Sequence, residues 1–381
     1  MRNKIFYIVA AVLLFGLSVG AWRMQHNHSV EDSYVPGQGK TKILFVSTKG
    51  KSDWVLSQCF AYNLSSSNNN VILHFVESRD AMKKILSGQV QPVIWSTDNP
   101  AIVGRINDLW TQKNGHPLID TSDPAATRVY FHSPLVFLTT REKAKVLAPI
   151  LSSSSCWDTI AQIGAGAPAG TKSSPSGRLT FGMSNPETAS GGILTMGLIL
   201  VAYCTEHHLS PDDVQVAQSR GFVDYLTSIE RCCLHASPNQ PDSVDLTALY
   251  VNNPAIADFV VTQESQAIWA VKSNKDLCVI YPTPTINVRE GVSLVNGPWV
   301  TADQKAGATE VLTEFGSRQS IHNGVQKYLR PEEQEASESL DPALKLFAGQ
   351  GFREDYIETT TPDYKALNEA IFAWKTHEPG K

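Results

Sequence analysis

The chain has 381 residues, of which 42% are hydrophobic and 18% charged, with a formal net charge of −5. Such a length suits two ordinary domains or one large one with a sizeable core, and the composition excludes a wholly disordered chain. The acidic balance deepens to about −7 if Arg2 and Lys4 leave with a leader, so nothing in it recruits nucleic acid or an anionic membrane surface.

Residues 1–22 read as a signal peptide or a membrane anchor. Arg2, Asn3 and Lys4 precede an uncharged apolar run from Ile5 to Trp22. Its length stands at the boundary between a cleaved signal, about 7–15 apolar residues, and a spanning helix, about 17–25. Small or tolerated residues at Ser18/Gly20 and Val19/Ala21 suit cleavage after Gly20 or Ala21, and no Cys follows to carry a lipid. Cleaved and retained forms both stay open. Residues 23–40 are polar and contain Pro36, Gly37 and Gly39, the composition of a linker.

From Lys42 the pattern alternates. Apolar strand Lys42–Val46 leads to helix Asp53–Leu64, strand Val71–Val76 to helix Arg79–Leu86, and strand Pro92–Trp95 to helix Ala101–Trp110. This alternation predicts a parallel sheet covered by helices, an α/β fold. A second alternating stretch follows, with strands Arg128–Phe131, Leu135–Thr139 and Leu179–Met183 and a strongly apolar helix from Gly192 to Tyr203. Helix Phe222–Cys232 and strands Phe259–Val261 and Leu277–Tyr281 continue it. Residues 152–176 are rich in Ser, Gly, Ala and Pro and predict an insertion loop around a short helix at Trp157–Ile163. Beyond Thr283 the pattern is helical, with Asp303–Phe315, Arg318–Tyr328 and Pro362–Trp374 as the helices.

Conventional catalytic and cofactor signatures are absent: there is no HExxH, GxSxG, GxxxxGK[ST] or paired CxxC, and no cofactor is implied. Gly164, Gly166 and Gly170 depart from GxGxxG spacing, with Pro168 among them, and read as a loop. Cys204, His207 and His208 have no fourth ligand at metal spacing and read as a wet helix end. The six cysteines, Cys59, Cys156, Cys204, Cys232, Cys233 and Cys278, fit no zinc pattern; one or two central disulfides and free buried thiols are both open.

Open α/β sheets hold ligands at the carboxyl ends of their strands, and polar residues recur there. They are Ser47, Thr48 and Lys49; Ser96, Thr97 and Asp98; Ser184 and Asn185; and Thr262, Gln263 and Glu264. One such group is an ordinary loop, but four together argue for a polar cleft. Ser190, Gly191 and Gly192 precede the apolar helix, where unpaired N–H groups and the positive dipole end suit an oxyanion, with the Ser190 hydroxyl as a further donor. A plain serine cap with close-packed glycines is the competing reading.

The runs DAMKKILSGQVQPVIWSTDNPAIVGRIN (80–107), SPLVFLTTREKAKVL (133–147), SCWDTIAQIG (155–164) and FGMSNPETASGGILTMGLIL (181–200) resemble bacterial extracellular solute-binding proteins of the von Willebrand factor A-associated type, distant relatives of molybdate-binding proteins. FVVTQESQAIW (259–269), VIYPTPT (279–285) and residues 297–331 extend the resemblance over about 42–331. It implies a two-lobed type II periplasmic-binding fold with a hinge and an inter-lobe cleft. Lobe 1 would comprise 41–134 and 283–381 and lobe 2 135–282, with crossings near Ser133–Pro134 and Pro282–Pro284. Carried over by position, Ser47, Thr48, Lys49, Trp95, Ser96, Thr97 and Ser133 would form the first side of the cleft, and Asn185, Ser190, Gly191 and Glu264 the second. Gln263 stands where a Tyr often precedes the acid. The implied function is closure on a small polar or anionic solute, for transport or sensing, with a membrane transporter or a von Willebrand factor A-type protein as partner. A secreted hydrolase-like enzyme with a dispersed site and a surface interaction protein with a non-binding cleft are the alternatives.

Overall fold

The computed structural model describes residues 32–33, 37–167, 179–234, 243–332 and 339–376. Residues 1–22, expected to be a signal peptide or membrane anchor, most of the expected linker and residues 168–178 of the expected insertion loop lie outside them. In chain order the first elements are β1 (Asp32–Ser33), β2 (Thr41–Ser47), α1 (Ser52–Ser65), β3 (Asn69–Phe75), α2 (Ser78–Leu86), β4 (Ile94–Ser96), α3 (Pro100–Asn114) and β5 (Thr127–Thr140). Next come α4 (Arg141–Leu151), α5 (Cys156–Gly164), β6 (Phe181–Gly182), α6 (Ser190–His207), α7 (Val214–Gln218), α8 (Arg220–Glu230), α9 (Ser243–Asn252), β7 (Phe259–Gln263) and α10 (Glu264–Ser273). The last are β8 (Leu277–Ile280), β9 (Asn287–Leu294), α11 (Ala302–Phe315), α12 (Arg318–Val325), β10 (Arg330–Pro331), α13 (Asp341–Leu346) and α14 (Tyr364–Thr376).

Two sheets share one long strand. Residues Thr127–Pro134 of β5 pair antiparallel with β9, and residues Leu135–Thr140 pair with β7 and β8. The first sheet runs β1-β3-β2-β4-β9-β5, with β2 parallel to both β3 and β4, and β10 beside β5. The second holds the far half of β5 with β7, β6 and β8. The partner switch falls between Pro134 and Leu135; the return runs through 281–286 into β9. Two expectations change. Residues 128–139 form parts of one strand instead of two, and the region after Thr283, expected to be helical, opens with the strand β9.

Helices cover both faces of each sheet, in keeping with the near-continuous apolar strands. Asn99 caps α3 through its side chain, Pro100 occupies the first turn, and Gly115 ends the helix in the left-handed region at φ 81°. Thr301 and Gln304 form a capping box on α11. Helix α6 is apolar all round because both of its sides are covered: it packs on β7 and on α5, α8 and α14. Its Gly192 is required by a close approach, since a Cβ there would stand 2.3 Å from the Ser184 carbonyl oxygen.

One apolar cluster gathers Phe45, Trp54, Phe131 and Phe315 on one face of the first sheet, and another gathers Leu138, Tyr250 and Ile268 on one face of the second. The largest is continuous across both, from Trp95 and Ile106 to Phe181 and Ile199, and includes Leu367 and Ile371 of α14. Helix α14, grouped from the sequence with 283–381 in lobe 1, packs chiefly on α7, α6 and α8 and more lightly on α3. All six cysteines are buried and none forms a disulfide, adjacent Cys232 and Cys233 included. Among the described residues no helix is long and apolar enough to cross a membrane.

Candidate functional site

The carboxyl end of β2 delivers Ser47 and Thr48, both buried, into a tight turn over Lys49–Lys51 that leads to α1. Lys49 is exposed. Lys51, two residues on, turns inward instead, and its ammonium donates to Glu290 Oε2 at 2.7 Å and to the Thr97 carbonyl at 3.1 Å. Glu290 comes from β9 and is fully buried. Burial pushes its carboxyl above the ordinary range, nearby Asp98 adds to the rise, and Lys51 opposes it.

The end of β4 supplies the other wall. Ser96 Oγ donates to the Gly291 carbonyl at 2.7 Å, fixing β4 to β9. Thr97 Oγ1 lies 3.0 Å from Ser78 Oγ and accepts from the Asn99 amide at 3.0 Å. Asp98 is buried, and its Oδ1 accepts two hydroxyl hydrogen bonds, from Ser78 Oγ at 2.8 Å and from Ser190 Oγ. Ser78 is the first residue of α2, Asn99 caps α3, and Ser190 is the first residue of α6. Three helix starts thus meet around one carboxylate, an arrangement that suits a negative charge. Ser190 belongs to the second sheet's helices and Asp98 to the first sheet, so their bond crosses between the two halves. Gln266 Nε2 makes another crossing to the Gly50 carbonyl at 3.1 Å.

Of the residues expected in the cleft, Ser47, Thr48, Thr97, Ser190 and Gly191 lie in or beside this seam, with Ser96 bound to the β9 backbone. Others go elsewhere. The Trp95 side chain belongs to the apolar cluster under α2 and α3, because β4 alternates and Trp95 points opposite to its neighbours. Ser133 accepts from the Ser265 amide at 3.1 Å and so caps α10. Half-buried Asn185 closes its own turn by accepting from the Glu187 amide at 2.8 Å. Glu264 spends both oxygens on Arg330, at 2.7 and 2.6 Å, with the Tyr281 hydroxyl also bound.

Sequence reasoning missed Lys51, Ser78 and Glu290 as members of the seam, and passed over Asp98 and Gln263 in its site although it had noted both at strand ends. Charged residues in short turns and in an unrecognised strand carry no mark of burial. Several buried polar atoms of the seam have no hydrogen-bond partner among the described residues: Thr48 Oγ1, Gln263 Oε1, Glu290 Oε1 and Asn99 Nδ2. Among the described residues no group of three or more His, Cys, Asp and Glu side chains is placed to hold a metal ion. A cavity of about 480 Å³ lies to one side, between α3 and the segment leading into α14, lined by Arg105, Arg289, Glu358, Tyr364 and Lys365 among others.

No protein-family profile and no curated protein matches the sequence. Solved structures do match in fold. A putative spermidine/putrescine ABC transporter protein from Listeria monocytogenes is 13% identical with a TM-score of 0.59, covering 90% of this chain and 100% of its own. The sulfate-binding protein SubI from Mycobacterium tuberculosis is 13% identical with a TM-score of 0.57, over 90% of this chain and 99% of that one. The ferric binding protein from Campylobacter jejuni is 10% identical with a TM-score of 0.58, over 88% and 98%. At such identity the likeness establishes the fold, which is the two-lobed type II periplasmic-binding arrangement of α/β lobes.

Proposed function

We propose that the chain is an exported solute-binding protein whose two lobes close on a small polar solute and present the closed form to a membrane transporter or sensor. In this reading 41–134 and 283–332 form lobe 1 and 135–282 lobe 2, with α14 riding on lobe 2. The hinge is β5 at Pro134–Leu135 together with 281–286. The observation that carries the reading is the polar seam, in which Ser190 of lobe 2 bonds to Asp98 of lobe 1 at the carboxyl ends of strands. The names of the solved structures with this fold, sulfate-, iron- and polyamine-related, support binding and transport. Export rests on residues 1–22, as a cleaved signal or a retained anchor, and places the body outside the cytoplasm.

Binding is favoured over catalysis by the make-up of the seam. Among the described residues it brings a serine to a carboxylate but no histidine to accept the serine proton, so the hydrolytic arrangement lacks its base there. The test is thermal denaturation of the protein against a solute library, with small-angle scattering on any hit. A true ligand at 100 times its Kd adds about 2.7 kcal/mol of stability and reduces the radius of gyration. A library without a single stabilising solute would leave a surface interaction module instead, and turnover of a hit would restore the enzyme reading.

A further inference from the structure

The expected solute was polar or anionic, with the start of α6 as the seat for its negative charge. That seat is filled from within. Asp98 stands where the starts of α2, α3 and α6 converge and takes the Ser78 and Ser190 hydroxyls that an oxyanion would use. Each helix start is worth about half a positive charge, so the three together already serve one carboxylate. Lys51, the buried ammonium of the seam, is likewise committed to Glu290. An anionic solute would enter beside two carboxylates whose cationic partners are taken.

The spare hydrogen-bonding capacity has the opposite polarity. Glu290 Oε1 and Gln263 Oε1 are acceptors, and Thr48 Oγ1 accepts as readily as it donates; Asn99 Nδ2 is the one atom of the four that can only donate. Gln263, Thr48 and Glu290 border one turn. The Gln263 amide lies 3.3–3.4 Å from the position a Cβ would take on Gly50, in the turn that runs from Thr48 to Lys51 and so to Glu290. All four residues are buried, and buried acceptors left unpaired are costly.

We propose that the solute is a small organic ammonium, an amine whose N–H groups pair with Glu290, Gln263 and Thr48 while Asp98 bars anions from the start of α6. The inference rests on the solute-binding reading and assigns its ligand class. The raised proton affinity of Glu290, caused first by burial and then by nearby Asp98 against the pull of Lys51, accompanies this geometry.

A matched four-carbon series tests the assignment by calorimetric titration of the full chain: 1,4-diaminobutane, 4-aminobutyrate, 1,4-butanediol and succinate, with inorganic sulfate added. The diamine is expected to bind most tightly and succinate and sulfate least. Asp98→Asn removes the charge that bars anions from the start of α6 and should strengthen succinate or sulfate, while the diamine, which pairs with Glu290, Gln263 and Thr48, loses no hydrogen bond. Gln263→Leu removes a spare acceptor without disturbing an ion pair, and should weaken the diamine even if Asp98→Asn fails to fold. Tighter binding of succinate or sulfate than of the diamine by the unaltered protein overturns the ammonium assignment and leaves solute binding standing. Silence from all five compounds also overturns it, and the solute library then decides whether the binding reading falls too.

Discussion

Glu264 opens α10 with both carboxylate oxygens engaged by Arg330, whose guanidinium also donates to the carbonyls of Arg353 and Glu354 and lies 5.0 Å over the Tyr356 ring. Arg330 sits in β10 beside the first-sheet half of β5, while Glu264 follows directly on β7 of the second sheet, so the pair ties the two sheets together. Position in the sequence suggested a ligand contact; the partner, 66 residues away, could not be seen there. Removing one member of a buried ion pair strands the other and costs about 3–5 kcal/mol. Glu264→Ala should therefore lower the melting temperature sharply while the solute affinity of the remaining folded protein stays close to normal. A large loss of affinity at unchanged melting temperature would return Glu264 to the binding site.

Helix α6 and strand β9 show why some elements are legible and others are not. The run from Gly192 to Tyr203 is apolar enough to announce a buried helix, and the structure extends it to Ser190–His207. Its two glycines fitted either an anion seat or close packing. For Gly192 the geometry decides, because a Cβ would meet the Ser184 carbonyl at 2.3 Å and the Asn185 carbonyl carbon at 2.7 Å, both backbone atoms that cannot swing aside. Gly192→Ala should cost about 1–3 kcal/mol, the range for overpacking a tight site, as read by chemical denaturation. A variant as stable as the parent would show that the 184–186 loop yields. β9 carries the opposite lesson. Its residues Asn287–Leu294 hold Arg289 and Glu290 in mid-strand, a charge pair that reads as solvated. Yet Glu290 is buried, because Lys51 reaches it from a turn 239 residues earlier in the chain. Local pattern therefore revealed the lobes' α/β alternation and the serine-rich strand ends, while the charges that decide the seam's chemistry depend on partners distant in sequence.

At the scale of the whole molecule, α14 links the lobes. Leu367, Ile371 and Trp374 are buried with the helices of lobe 2, and Lys375 and Glu369 reach Glu187 and Gln218 there. Toward lobe 1 its contacts are few: Asn368 Oδ1 accepts from Arg79 Nη2 at 2.8 Å, Lys365 lies 3.7 Å from Asp108, and Tyr364 sits under Arg105. A helix seated firmly on one lobe and lightly on the other acts as a clasp, since opening would break the lighter set alone. Asn368→Ala removes the clasp's best hydrogen bond, which involves a charged, partly buried partner and is worth about 1.5–3 kcal/mol at most. The folded lobes should survive, so the melting temperature should change little. What shifts is the balance between closed and open forms. If the solute-free protein is mostly open, closing becomes harder and affinity falls by about tenfold and at most about 150-fold; if it is mostly closed, affinity holds and the solute-free radius of gyration grows. Titration and small-angle scattering on the same variant thus cover both starting points, and a protein unmoved in both would show that α14 belongs to lobe 2 without restraining the hinge.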